Sequence, residues 1–114
     1  MNKLDRDRLA DMLEYAKTAV RFVGSADSAE LEADRRTFLA AWKAIEIIGE
    51  AANQVSRETQ AELPEISWRE AIAVRHRLVH GYRSVRVELV VGTVRFDLPA
   101  LIKAVESALE NNSP

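Results

Sequence analysis

The chain has no cysteine among its 114 residues, only four glycines and three prolines, and just two histidines. Without thiols it can build no disulfide framework and no thiolate metal centre, and it has no cysteine nucleophile. Few glycines and prolines leave few forced breaks, so long regular elements are expected. No window approaches the roughly 20 apolar residues of a membrane-spanning helix. The start, Met1-Asn2-Lys3-Leu4-Asp5-Arg6-Asp7, lacks the apolar run of a secretory signal. A cytoplasmic protein with no membrane partner is expected. With 47% apolar and 30% charged residues, the balance is that of a soluble globular chain, and its length suits a single domain over residues 1–114.

A net charge of −2 does not advertise nucleic-acid binding, but the distribution is uneven. Between residues 71 and 96 lie five of the 16 basic side chains, all arginine, and one of the 18 acidic ones, Glu88. A local arginine-only segment on an acidic body suits a focused phosphate site better than a long nucleic-acid groove. Exposed helix faces also gather arginines, and charge alone does not separate the two.

Hydrophobic spacing predicts helices. Leu9, Met12/Leu13, Ala16, Val20 and Val23 recur at three and four, giving a first helix from about residue 4 to 23, closed by Gly24-Ser25. Asp5 and Asp7 suit the positive end of its dipole. A second long helix is expected from Ser28 or Leu31 to Val55, with the stripe Leu31, Phe38, Ala41/Trp42, Ile45, Ile48/Gly49, Ala52 and Val55. Its small residues, Ala41, Ala44, Gly49, Ala51 and Ala52, would let a neighbouring helix come close. Residues 56–64 read as a turn region with room for one helical turn. Ser67-Trp68-Arg69-Glu70 has the S-x-x-E form of a capping box, starting a third helix at Trp68 that runs to about Val79, with Gly81 as its stop. Residues 85–94 alternate like a strand, yet Val87, Val90/Val91, Val94, Leu98, Leu101, Val105 and Leu109 continue a helical series. A lone strand would have no partner, so helix is the reading here. Asp97-Leu98-Pro99 starts a final helix, proline being tolerated in a first turn. The expected architecture is all-α, a largely antiparallel bundle of four to five helices. Trp42, Trp68, Phe22, Phe38 and Phe96 read as core or interface residues.

The chemistry concentrates in Arg75-His76-Arg77-Leu78-Val79-His80-Gly81-Tyr82-Arg83, which holds both histidines and one of the two tyrosines. Arg75 and His80, five apart, lie about 140° apart around a straight helix. Either the helix ends before His80, or a second chain completes the pair. Cleaving RNA without a metal needs a group titrating near neutrality to take the 2′-hydroxyl proton, and histidine is such a group. It also needs fixed positive charge at the phosphate, which an arginine fork supplies. Arg75 and His80 are thus the candidate catalytic residues, with His76 and Tyr82 as possible auxiliaries. Spacing alone is weak support, since R-x4-H recurs by chance and a histidine near a helix C-terminus is favoured by the dipole. His76 and His80 also have the i, i+4 spacing of zinc helices, but no third ligand or general-base glutamate accompanies them, so neither a resident metal nor any other cofactor is expected.

At Arg75-His76-Arg77-Leu78-Val79-His80-Gly81-Tyr82 the chain resembles the HepT-like branch of the HEPN superfamily, marked by R-x4-H followed by x-Y, often R-N-x-L-V-H-x-Y. Ala44-Ile45-Glu46-Ile47-Ile48-Gly49-Glu50-Ala51-Ala52 resembles that family's I-G-E-A helix. Pro64-Glu65-Ile66-Ser67-Trp68 resembles its P-x-I-x-W segment and Asp97-Leu98-Pro99-Ala100-Leu101 its D-L-P-x-L segment. The resemblance covers nearly the whole chain in order. Two departures stand out: His76 replaces the usual asparagine, and the tryptophan often found near Val91-Gly92 is absent.

The resemblance implies an all-helical homodimer that is the toxin of a toxin–antitoxin pair and a metal-independent endoribonuclease, its site formed across the dimer by two copies of R-x4-H. It implies a partner antitoxin, an MntA-like minimal nucleotidyltransferase, which adenylylates the motif tyrosine, here Tyr82. Arg75 would then stabilise the phosphate and His80 transfer the proton. Glu50 is a candidate to orient Arg75, an exposed or dimer-facing ion pair being the other reading. Arg77, Arg83 and Arg86 are candidate RNA contacts. A non-catalytic helical partner of a nucleotidyltransferase is the alternative function.

Overall fold

A computed structural model describes residues 1–80 and 83–112, and the side chains of all of these except 83–85. Gly81 and Tyr82 lie outside the described residues. Among the described residues seven α-helices follow in order: α1 (Lys3–Val23), α2 (Ser28–Ala33), α3 (Arg35–Gln54), α4 (Arg57–Glu62), α5 (Trp68–His80), α6 (Arg83–Gly92) and α7 (Leu98–Asn111). A π-helical turn, Thr93–Asp97, joins the last two without a loop. Among the described residues there is no strand, so residues 85–94 are helical as the longer periodicity predicts. The long elements are α1, α3, α5 and the run α6–α7, with α2 and α4 as short connectors.

α1 buries Leu9, Met12, Ala16, Ala19 and Val23 against α3 and α7. Its ends are set by Asn2, whose side chain accepts from the Asp5 N–H at 2.8 Å, and by Gly24 at φ 54°. Only a residue without Cβ adopts that conformation without strain. The α1–α3 pair is antiparallel, because Asp5 at the start of α1 meets Ser56 just beyond the end of α3. α7 runs antiparallel to α1, with Lys17 and Glu106 paired at 3.1 Å and Arg6 donating to the Asn112 carbonyl.

Two expectations are corrected. The second helix is broken in two at Asp34 (φ −104°, ψ 77°). There the carboxylate accepts from the Thr37 N–H (3.2 Å) and Oγ1 (2.6 Å), the local alternative that aspartate offers to continued helix. α2 has its own capping box, Asp27 with Glu30. The box expected at Ser67 and Glu70 is not formed: α5 begins at Trp68, but no capping hydrogen bond from either side chain is present among the described residues. Trp68 fixes that start instead, its Nε1 donating to the Leu63 carbonyl at 3.0 Å. The final helix starts where Asp97-Leu98-Pro99 places it, α7 opening at Leu98 with Pro99 in its first turn, although the Asp97 side chain makes no cap hydrogen bond and a π-helical turn joins α7 to α6. Pro99 removes an N–H and crowds the preceding turn, and the chain widens locally so that the Leu98 N–H reaches the Thr93 carbonyl.

Candidate functional site

The placement of the arginine–histidine cluster follows from which face α5 buries. Val74 and Leu78 point into the core, which turns His76, Arg77 and His80 to solvent. Arg75 stands at the margin, half-buried, because α5 crosses α3 directly at its position. A Cβ on Gly49 would lie 2.6 Å from the Arg75 Cβ and 2.7 Å from the Ala71 carbonyl oxygen. The absent side chain at Gly49 is what admits Arg75 to this depth.

The helix continues through His80, so the possibility that it ends earlier is removed. Arg75 and His80 remain about 140° apart on one chain. His76 and His80, in contrast, come together: their ring centroids are 4.6 Å apart, with the planes tilted by 54°. The Arg75 Nε is buried and has no hydrogen-bond partner among the described residues. An N–H left so is a costly arrangement that an oxygen ligand would relieve.

The other candidates divide. Arg77 is exposed and reaches back along α5 toward Glu70, at 3.8 Å. Glu50 is exposed and makes no ion pair with Arg75 among the described residues; it lines a shallow groove with Leu4, Asp7, Arg8 and Gln54. Arg86 does not point freely to solvent. Its guanidinium carbon lies 4.7 Å from the Trp42 ring centre, and one of its nitrogens donates to the Val79 carbonyl at 3.3 Å. It therefore ties the last turn of α5 to α3. The Arg83 side chain and all of Tyr82 lie outside the described residues.

Two features were not anticipated from the sequence. Asp5, assigned to the helix dipole, is 2% exposed. It accepts from the Ser56 N–H (3.0 Å), Ser56 Oγ (2.6 Å) and Thr59 Oγ1 (2.7 Å). Burial alone pushes its carboxyl up, but these hydrogen bonds, with the nearby Arg8 charge, outweigh burial and hold it below the ordinary aspartate value. The second is a cleft of about 240 Å³ between α3, the first half of α5 and the π-turn. Phe96, 82% exposed, stands at its edge. It does not include the histidines. Among the described residues no group of three or more histidine, aspartate or glutamate side chains is placed to hold a metal ion.

The fold and its cluster define an all-helical protein with guanidinium and imidazole groups gathered on one helix. Comparison with known proteins carries this further: the model of the ribonuclease HepT-like family matches residues 12–108, and the chain belongs to that family. It is 33% identical over 101 residues to a protein of Thermococcus cleftensis named as a probable ribonuclease HepT, covering 89% of this chain and 92% of that one. It is 31% identical over 98 residues to a protein of Methanocaldococcus jannaschii provisionally named an RNase, covering 86% and 90%. A similarly named protein of Caldanaerobacter subterraneus is 29% identical over 68 residues, 60% of this chain and 61% of its own. No solved structure matches the chain. No described helix is long and apolar enough to cross a membrane.

Proposed function

We propose that this protein is an endoribonuclease that needs no metal, acts as the toxin of a toxin–antitoxin pair, and works as a homodimer whose site joins Arg75 of one protomer to His80 of the other. The observation that carries the reading is the state of α5: a half-buried arginine with an unpartnered Nε on the same helix as two exposed imidazoles in contact. The ribonuclease names of its relatives support the substrate class.

In this mechanism the RNA supplies its own nucleophile. His80 takes the proton from a 2′-hydroxyl, and the 2′-oxygen attacks the adjacent phosphorus. The bond from phosphorus to the 5′-oxygen breaks, leaving a 2′,3′-cyclic phosphate and, after protonation, a 5′-hydroxyl. Arg75 meets the non-bridging oxygens as their charge grows. His76, one helical turn from His80, is placed to protonate the leaving oxygen, and Tyr82 is the other candidate for that role.

The same cluster supplies the regulation. A partner nucleotidyltransferase transfers the adenylyl group of ATP to the hydroxyl oxygen of Tyr82, two residues beyond His80, with loss of the phenolic proton and departure of pyrophosphate, setting phosphate charge and bulk against the cationic site. Intact-mass measurement after incubation with the partner and ATP tests this. A mass gain that persists in Tyr82→Phe contradicts the assignment. For the cleavage itself, induced expression of wild type beside His80→Ala, with RNA integrity followed, is the direct test. Loss of RNA only with wild type supports the reading; identical RNA in the two cultures favours a binding protein.

A further inference from the structure

The only two histidines of the chain are neighbours on one helix face, both exposed, with ring centroids 4.6 Å apart. That separation can be compared with the geometry of metal ligation. An imidazole nitrogen binds a divalent transition ion at about 2.0–2.1 Å, which puts the ring centre about 3.2 Å from the ion. With a nitrogen of each ring turned to one ion, two centroids at the observed 4.6 Å would subtend about 90° there, whereas a tetrahedral angle would separate them by about 5.2 Å. A right angle between two imidazoles turned to one ion is the cis arrangement of a square-planar or tetragonal ion such as Cu(II) or Ni(II).

We infer that His76 and His80 form a two-imidazole site for Cu(II) or Ni(II), and that its occupation withdraws His80 from proton transfer. The second half rests on the ribonuclease reading above. A coordinated nitrogen gives the metal the lone pair that would otherwise take the 2′-hydroxyl proton. Water fills the remaining positions, since no third protein ligand is at hand among the described residues. Arg77, the cation between the two histidines in sequence, is directed back to Glu70 at 3.8 Å. The metal is therefore an inhibitor and not a cofactor, and the α5 helix alone is enough to bind it.

The chain offers a clean test, because without cysteine or other histidines every imidazole signal must come from this pair. Pulsed electron paramagnetic resonance on the full chain with one equivalent of Cu(II) should count two equatorial imidazole nitrogens. His76→Asn and His80→Ala should each reduce the count to one and weaken binding by about a hundredfold, since a chelate has become a single ligand. A count of one in wild type overturns the site. RNA cleavage is then followed against Ni(II), each variant scored against its own metal-free rate. Wild type should be inhibited and His76→Asn resistant over the same range; undiminished cleavage by a Ni(II)-loaded wild type overturns the withdrawal of His80. If metal-free wild type cleaves no RNA, the ribonuclease reading fails and the withdrawal of His80 with it, while the imidazole count still decides the site.

Discussion

Gly49 of α3 and Arg75 of α5 touch backbone to side chain: a methyl group on Gly49 would fall 2.6 Å from the Arg75 Cβ and 2.7 Å from the Ala71 carbonyl oxygen. One of those obstacles is backbone, so rotamer changes cannot relieve it and α5 must move. Gly49→Ala should cost about 1–3 kcal/mol of overpacking, offset in part by about 1 kcal/mol of helix propensity. The expected outcome is a modest loss in denaturant midpoint with a disproportionate loss of RNA cleavage, because the displaced residue is Arg75. Cleavage per folded molecule equal to wild type would show that the contact does not position the arginine.

Arg86 is a clamp in this structure. It packs on Trp42 and donates to the Val79 carbonyl, so Arg86→Ala should remove about 1 kcal/mol and lower Tm by roughly 4 °C or more. Arg86→Lys keeps the charge without the flat, forked head and should recover only part of that. A phosphate contact would behave differently: Tm would hold while the salt dependence of RNA binding fell by about one charge.

Asp5 gives the protein a pH dependence of stability. Its hydrogen bonds from Ser56 and Thr59 hold the folded carboxyl below its ordinary value, so the unfolded chain binds its proton at higher pH than the folded one. The stabilisation is therefore complete above the unfolded aspartate range, near pH 4, and is lost as pH falls through the folded value. Asp5→Asn should lose about 2 kcal/mol at neutral pH and show a shallower decline in urea midpoint on acidification. Parallel declines for the two proteins would contradict this.

Mixing two inactive variants tests how the site is assembled. If Arg75 acts with His80 of the partner subunit, a heterodimer of Arg75→Ala and His80→Ala chains retains one intact site. Random re-pairing of an equal mixture should then restore about a quarter of wild-type cleavage. No recovery, with heterodimers verified by native mass spectrometry, would contradict a pairing of Arg75 with His80 across the dimer.

Much of the bundle was legible in the spacing of apolar residues. The first helix and the helical state of residues 85–94 follow from that periodicity, and the small residues around Gly49 correctly signal a close helix approach; the start of α5 at Trp68 was read from a capping box that the structure does not form. The misses are local contests between side chains and backbone. Asp34 interrupts a periodicity that runs straight past it, because its carboxylate binds Thr37 instead of leaving the backbone to continue. Both Asp27-x-x-Glu30 and Asp34-x-x-Thr37 were readable cap patterns. Asp5 could not be read as buried from its own helix, since its partners lie 51 and 54 residues away. For the candidate site, the sequence located the cluster and posed the angular problem of Arg75 and His80, but it did not show that Arg86 turns inward to Trp42.

The central claim is that this cluster cleaves RNA by attack of the 2′-hydroxyl, and the ends of the products test it most directly. Purified protein in EDTA should convert RNA to fragments with 2′,3′-cyclic phosphate and 5′-hydroxyl ends, leave a substrate with 2′-deoxy at the cleaved position intact, and lose this activity in His80→Ala. Cleavage of the 2′-deoxy substrate, or fragments that form equally with His80→Ala, would contradict the account.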